Sequence, residues 1–140
     1  MAKSVELHIT SDPELLTILR ATISRVCQLA GFSQKENSKI VLAVDEACSN
    51  IIRHTYKGAK NRPIVIQCKI NVAGIEISIV DRGQPANVKE IKPRKLEDIR
   101  PGGLGVHLIR SVMDKVEYIP GPRVGNRLYM SKALPKRTQK

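Results

Sequence analysis

Apolar and polar residues alternate along much of the chain, and the period of that alternation predicts its strands. Near the N-terminus, KSVELHI (residues 3–9) repeats every second residue, which is typical of a strand with one buried face. IVIQCKINV (64–72) and GIEISIVD (74–81) follow the same period, and the short turn between them indicates a hairpin. Two further strands are predicted near the C-terminus, in EYIP (117–120) and NRLYMSKAL (126–134).

Three other segments carry apolar residues at the spacing of an α-helix. The first lies between Asp12, a helix start, and Gly31, which caps the C-terminal end. The second opens on SQKE (33–36), a capping box in which a serine and a glutamate satisfy each other's backbone amides, and runs to about Lys57. The third keeps helical spacing from Leu104 onwards.

The order of these elements predicts the fold class. A strand is followed by two helices, two strands, a loop, a helix and two strands, so strands and helices do not alternate strictly. We therefore expect an α+β fold: a two-layer sandwich in which a mixed, mostly antiparallel sheet of about five strands carries three helices on one face. The length of 140 residues favours one domain over residues 1–140, with a basic tail at 135–140.

Residues 82–103 interrupt the periodic pattern. Their three prolines, three glycines and mixed charges predict a loop, and a loop this long in a small domain is commonly a functional lid. Six basic and three acidic residues between positions 82 and 100 make this predicted lid net positive. Such a charge would attract a polyanionic ligand in a partly dry site.

The whole chain is also basic, with a net charge of +11, which indicates a polyanionic ligand or an acidic partner. A nucleic-acid binder is one alternative, but aromatic residues make up only 3% of the chain and tryptophan is absent. A single-strand binding surface normally needs stacking rings, so we expect no direct contact with nucleic acid. No apolar run approaches the roughly 20 residues of a membrane span, and no signal peptide is evident, so we expect a cytoplasmic protein.

The second predicted helix carries a polar stripe opposite its apolar face. Glu46, Asn50, Arg53 and Lys57 recur at spacings of four, three and four, which makes them neighbours on one side. The stripe is either a solvated face or a binding site. Asparagine is a poor residue for a helix interior, whereas its amide oxygen is a good ligand for Mg²⁺, and a glutamate one turn earlier could deprotonate a hydroxyl beside that ion.

Two glycine-bearing turns are the other candidates for chemistry. In VDRGQP (80–85), Asp81 ends a strand and can accept a hydrogen bond from a ligand amine, while Gly83 lets a flat ring approach the backbone. In PGGLG (101–105), glycines precede a helix whose unpaired amides suit phosphates. Each turn taken alone is equally compatible with a simple turn or a hinge.

Together and in this order, the three motifs resemble the N, G1 and G2 boxes of the Bergerat-type ATP-binding fold, which histidine-kinase catalytic domains, gyrase, Hsp90 and MutL share. The segments DEACSN, DRGQP and GGLGVHLIRSVMD are most similar to the bacterial anti-sigma factor serine/threonine kinases. GNRLYMSKAL resembles the closing strand of those kinases. The resemblance covers nearly the whole chain, from about residue 5 to residue 134.

The resemblance implies a role for each residue of the helical stripe. Glu46 would be the catalytic base toward a serine hydroxyl, and Asn50 would bind the Mg²⁺ that bridges the phosphates of ATP. Arg53 and His54 lie near enough on the helix to contact the phosphates.

The glycine-bearing turns would complete the ATP site. Asp81 would accept a hydrogen bond from the adenine amino group, with Gly83 beside the ring, while Gly103 and Gly105 would anchor the lid and offer amides to the phosphates. One segment departs from the family pattern: many relatives place a threonine near the adenine, where this chain has Gly-Asn-Arg (125–127).

The resemblance implies a regulatory kinase with ATP and Mg²⁺ as cofactors. Such a protein phosphorylates an anti-anti-sigma factor on serine, sequesters a sigma factor and forms a homodimer. The sequence leaves one alternative open, a module that binds ATP and changes its affinity for partners without phosphoryl transfer, because both functions need the same pocket.

Overall fold

The structure is a computed structural model that describes residues 2–84, 104–121 and 123–135, with the backbone alone for residues 104–106. Most of the predicted lid, the segment 85–103, and the tail from residue 136 lie outside the described residues. Within the described part, no helix is both long enough and apolar enough to cross a membrane.

A five-stranded sheet forms one layer of the protein, in the order β1-β2-β3-β5-β4. All four strand pairings are antiparallel, and a two-residue turn joins β2 to β3 as the sequence predicts. The five strands are β1 (Lys3–Thr10), β2 (Pro63–Asn71), β3 (Gly74–Asp81), β4 (Lys115–Ile119) and β5 (Asn126–Ala133).

Three helices form the second layer: α1 (Leu16–Ala30), α2 (Gln34–Asn50) and α3 (Leu104–Val112). A short 3₁₀ turn precedes α1, which ends where Gly31 adopts a left-handed conformation with φ of 101°. The capping box of α2 is present, since the Ser33 hydroxyl accepts from the Glu36 amide at 3.2 Å. These caps confirm the predicted end of the first helix and the predicted start of the second.

The core lies between the two layers. Alternate residues of β2 and β3 are buried, among them Ile64, Ile66, Ile77 and Ile79, and they share a core with the apolar faces of α1 and α2. The other face of the sheet is polar, which is the pattern of an antiparallel sheet with helices on one side only. The predicted fold class is therefore confirmed.

The second helix differs from the prediction in one respect. Its α-helical part ends at Asn50, and the chain continues as a π-helical turn from Ile51 to Thr55. A π-helical turn widens the helix by one residue and is frequent at functional sites. The uniform spacing of an α-helix, assumed from the sequence, does not hold beyond Asn50.

Candidate nucleotide site at the end of α2

The structure brings together three of the four residues in the predicted helical stripe. One guanidinium nitrogen of Arg53 donates a 2.9 Å hydrogen bond to the amide oxygen of Asn50 and lies 3.5 Å from a carboxylate oxygen of Glu46. The side chain of Arg53 is 59% exposed and that of Glu46 is 30% exposed. A positive group thus sits between two oxygen atoms at the edge of the protein.

Asn50 is buried, with only 3% of its surface exposed, so it does not belong to a solvated helix face. Its amide nitrogen is inaccessible and has no hydrogen-bond partner within the part of the chain that the structure describes. A buried donor without a partner costs about 1–3 kcal/mol, and such groups in native proteins are often tied to function.

The arrangement of Glu46 and Asn50 fits a magnesium ion. The amide oxygen of Asn50 is held by a cationic group, and the carboxylate of Glu46 faces the same cation. Hard oxygen donors of this kind are the ligands that Mg²⁺ prefers, and protein sites for Mg²⁺ beside phosphates often supply only one or two of them.

His54 follows Arg53 in the π-helical turn, and its side chain is exposed. Both residues lie at the C-terminal end of the long helix, and both are exposed at the surface rather than buried in the core. The structure therefore leaves both side chains accessible to a ligand at this end of the helix.

Asp81 ends β3 and is buried, with 5% of its surface exposed. One of its carboxylate oxygens, Oδ1, accepts two hydrogen bonds of 2.9 Å, from the backbone amide of Gly83 and from the side-chain amide of Asn126. The turn that follows the strand is therefore built around this carboxylate. The predicted base-binding residue is held in a fixed orientation.

Gly83 packs directly against the π-helical turn of the long helix. A Cβ atom at this position would collide with the methyl group of Thr55 and would lie 3.4 Å from the ring of Tyr56. The hydroxyl of Tyr56 also accepts a 2.7 Å hydrogen bond from the Arg82 amide. The Asp81–Gly83 turn and the end of the long helix are thus joined through Thr55 and Tyr56.

The hydroxyl of Tyr56 makes a second hydrogen bond, donated to the carbonyl of Pro63 at 2.6 Å. Burial, as the largest effect, raises the pKa of this phenol, and the nearby carboxylate of Asp81 acts in the same direction. The neutral hydroxyl is therefore the form that ties the helix end to β2 and to the turn after β3.

Asn126 is a residue of this site that the sequence does not reveal. It begins β5 directly opposite Asp81, and its amide reaches the carboxylate and the carbonyl of Gly83. The sequence feature that points to it is the Gly-Asn-Arg segment at 125–127, where the chain departs from the pattern of the family that it resembles. Its contacts follow from the pairing register of β3 and β5, which the sequence alone does not specify.

The glycines of the last motif are only partly described. Gly103 lies outside the described residues. Gly105 lies in the first turn of α3, because that helix begins at Leu104, the residue from which the sequence predicts helical spacing. The first four amides of a helix have no partner within it, so the amide of Gly105 lies at a position that suits an anion.

The fold and the paired motifs define a class of protein, and comparison with known families confirms it. Residues 9–132 match the Histidine kinase-like ATPase domain, so the chain belongs to that family. The resemblance stated from the N, G1 and G2 motifs is therefore confirmed.

Within this class, three curated relatives carry the same name. The chain is 32% identical to the Serine-protein kinase RsbW of Oceanobacillus iheyensis, over 93% of this chain and 86% of the relative. It is 31% identical to the Serine-protein kinase RsbW of Bacillus pumilus, over 81% and 76%. It is 28% identical to that of Bacillus subtilis, over 82% and 77%.

A solved structure supports the fold. The crystal structure of the RsbU and RsbW domains of Rv1364c from Mycobacterium tuberculosis superposes with a TM-score of 0.68 and 16% sequence identity. The match covers 96% of this chain and about a third (33%) of the solved one. At this identity the likeness bears on the fold alone.

Proposed function

We propose that this chain is an ATP-dependent serine-protein kinase that phosphorylates a protein partner and acts as an anti-sigma factor. The observation that carries the proposal is the cluster at the end of α2, where one cationic group lies 2.9 Å from the amide oxygen of Asn50 and 3.5 Å from the carboxylate of Glu46. The family and the curated kinases among its relatives support the same function.

The proposed roles begin with the two residues of the long helix. Asn50 would hold a magnesium ion through its amide oxygen, and the ion would supply charge neutralisation to the phosphates of ATP. Glu46 lies one turn away with a partly exposed carboxylate, which accepts the proton of the incoming serine hydroxyl. Phosphoryl transfer depends mainly on such positioning and charge stabilisation.

Arg53 exchanges partners when the nucleotide binds. Without nucleotide, its guanidinium group satisfies Asn50 and lies beside Glu46. Its exposed side chain is free to turn outward and pair with a phosphate, for which a guanidinium group is well suited. His54, which is also exposed, is the next residue in the π-helical turn and would contact the phosphates together with the amides of Gly103 and Gly105.

The turn after β3 would receive the adenine ring. Asp81 is oriented by two hydrogen bonds to one of its oxygens, so the other oxygen accepts from the adenine amino group. Gly83 fits only as glycine, because a Cβ atom there would collide with Thr55, and its backbone would lie beside the ring. The predicted lid at 82–103 covers the phosphates with its net positive charge.

The partners follow from the same assignment. The chain phosphorylates an anti-anti-sigma factor on serine, binds a sigma factor and acts as a homodimer in the cytoplasm, as a single domain with no direct contact with nucleic acid or membrane. Its net charge of +11 favours association with acidic protein surfaces, because complementary charge speeds the encounter.

Transfer of the labelled γ-phosphate of ATP to a cognate anti-anti-sigma protein tests the proposal. We expect transfer by the wild type and a loss of at least about 100-fold in kcat for Glu46→Gln, the lower end of the range for removal of a general base. Glu117→Gln is the matched control, because Glu117 is an exposed glutamate on the edge strand β4, which carries none of the proposed site residues.

Three outcomes separate the alternatives. Equal rates for Glu46→Gln and the wild type would remove the catalytic base from the account. Binding of ATP without transfer by any of the three proteins would identify a nucleotide-controlled binding module instead. The absence of binding would contradict the proposed function as a whole.

A further inference from the structure

Asn126 uses nearly all of its hydrogen-bonding capacity inside the protein. It is 1% exposed, and its amide nitrogen donates to the Asp81 carboxylate at 2.9 Å and to the Gly83 carbonyl at 3.0 Å. Its amide oxygen accepts from the Gly121 amide at 3.2 Å. Since an asparagine amide has two N–H groups, both are occupied and neither is free for a ligand.

Two separate segments meet at this one side chain. Asp81 ends β3, Gly83 lies in the turn that follows it, and Gly121 lies in the connection between β4 and β5. That connection is itself closed by a 2.8 Å hydrogen bond from the Gly125 amide to the Gly121 carbonyl. Asn126 therefore fixes the turn after β3 against a second, independently closed turn.

The backbone before Asn126 is built for this approach. Gly125 has φ of 104°, a left-handed conformation that favours glycine, and a Cβ atom there would lie 2.8 Å from a Val80 methyl and 3.0 Å from the Asp81 carbonyl. Asn126 then pairs with Asp81 across the two strands. Close packing at Gly125 thus brings the amide of Asn126 within reach of the carboxylate.

The contacts have a consequence for the second carboxylate oxygen of Asp81. Both hydrogen bonds that the described residues make to this side chain go to Oδ1, from Gly83 and Asn126. Two donors on one oxygen fix the plane of the carboxylate, and Oδ2 is then the oxygen left for an incoming donor. A fixed acceptor loses less conformational freedom on binding than a rotating one does.

We infer that Asn126 is a positioning residue that sets the preference of this site for a purine with an amino group at C6. It acts through Asp81 and does not itself touch the base. The inference rests on the proposed function, because it assumes that Asp81 receives the base. Without Asn126, Oδ1 keeps a single donor, and the carboxylate can rotate or take up water.

The test is the preference for ATP over purine riboside triphosphate, which lacks the amino group. Both dissociation constants are measured with Mg²⁺ by titration calorimetry on the full chain. For Asn126→Ala we expect the affinity for ATP to fall about tenfold, within the range for an unpaired buried polar partner, and the affinity for purine riboside triphosphate to change by less than about threefold.

Two further variants make the measurement specific. Asn37→Ala removes another asparagine that is 1% exposed and donates a 3.0 Å hydrogen bond, here between α1 and α2, so it controls for a general loss of stability. It should leave the preference for ATP unchanged. Asn126→Thr keeps one hydroxyl donor on a residue that suits a strand, and it should retain part of the preference even if the alanine variant does not fold.

The outcomes distinguish the inference from the function beneath it. If the wild type binds neither nucleotide, the proposed function fails. If the wild type prefers ATP and Asn126→Ala keeps the same ratio of affinities, Asn126 has no part in selecting the base. If Asn126→Ala lowers the affinity for both nucleotides equally, Asn126 has only a structural role and the inference is overturned. The same conclusion follows if the alanine variant does not fold and Asn126→Thr keeps the full selectivity of the wild type.

Discussion

Replacing Asn50 by leucine should stabilise the nucleotide-free protein and abolish its response to magnesium and ATP. Leucine has the same branched shape as asparagine but carries no polar atoms. In the structure, the amide nitrogen of Asn50 is buried without a partner among the described residues. Because Asn50 is proposed to hold the magnesium ion, the chain would keep an unfavourable buried donor for the sake of binding.

The magnitude follows from two opposing effects. Removal of the unpaired buried donor gains about 1–3 kcal/mol of folding free energy. Loss of the hydrogen bond from Arg53 costs about 0.5–1 kcal/mol, at the low end of the range, because that side chain is 59% exposed and returns to water. The net expectation is a stabilisation of about 1 kcal/mol, or about 3–5 °C in melting temperature for a chain of this length.

The assay is urea unfolding without nucleotide, followed by thermal unfolding with and without Mg²⁺ and ATP. Asn37→Leu is the matched control, since Asn37 is equally buried in the same helix but its amide nitrogen donates to the Ser24 carbonyl. The control should lose about 1 kcal/mol, the value of a typical hydrogen bond. The two identical substitutions should therefore shift stability in opposite directions.

Two results would refute this reasoning. If Asn50→Leu destabilises the nucleotide-free protein as much as Asn37→Leu does, the buried amide of Asn50 is not an unpaired group. If Asn50→Leu still gains stability from ATP only when Mg²⁺ is present, Asn50 does not hold the metal.

Three further changes test the surroundings of the site. Gly83→Ala should lose about 1–3 kcal/mol of stability by overpacking against the methyl group of Thr55. Thr55→Ser removes that methyl group and should restore most of the loss in a double-mutant cycle measured by urea unfolding. Additive losses in the two variants would contradict the contact. Tyr56→Phe should cost about 1–3 kcal/mol because it removes a hydroxyl that makes two hydrogen bonds. Since burial raises the pKa of Tyr56, its contribution is complete below pH about 10 and is lost as the pH rises further, so the phenylalanine variant should lose less stability than the wild type in alkaline unfolding curves. The three cysteines are buried, and burial raises the pKa of each thiol, to about 12 for Cys27 and about 11 for Cys68. A thiol reagent at pH 8 should therefore label the native protein only as fast as the fold opens and exposes the thiols. Rapid labelling would contradict their burial.

Local patterns in the sequence predict most of the fold. The alternating segments become β2 and β3, the capping box at Ser33 starts α2, and Gly31 ends α1 in a left-handed conformation. Each of these features depends on residues that are close together in the sequence. Such features follow from periodicity and capping, without knowledge of the tertiary structure.

The site is predicted less completely, because its geometry depends on contacts across the fold. The sequence identifies Asn50 as unusual but places it on a polar stripe, whereas the structure buries it. The π-helical turn after Asn50 is not visible in the spacing of apolar residues, which assumes a uniform helix. Asn126 is missed because it meets Asp81 only through the register of two strands that are 45 residues apart in the sequence.

The central claim is tested most directly by thermal unfolding of the wild-type protein during a titration with ATP, in the presence and absence of Mg²⁺. The claim is that Glu46 and Asn50, beside the turn at Asp81, form one site for a magnesium-bound nucleotide. ATP at 100 times its dissociation constant should add about 2.7 kcal/mol of stability when Mg²⁺ is present, with a much smaller effect after chelation. A melting temperature that does not change with saturating ATP and Mg²⁺ would contradict the claim.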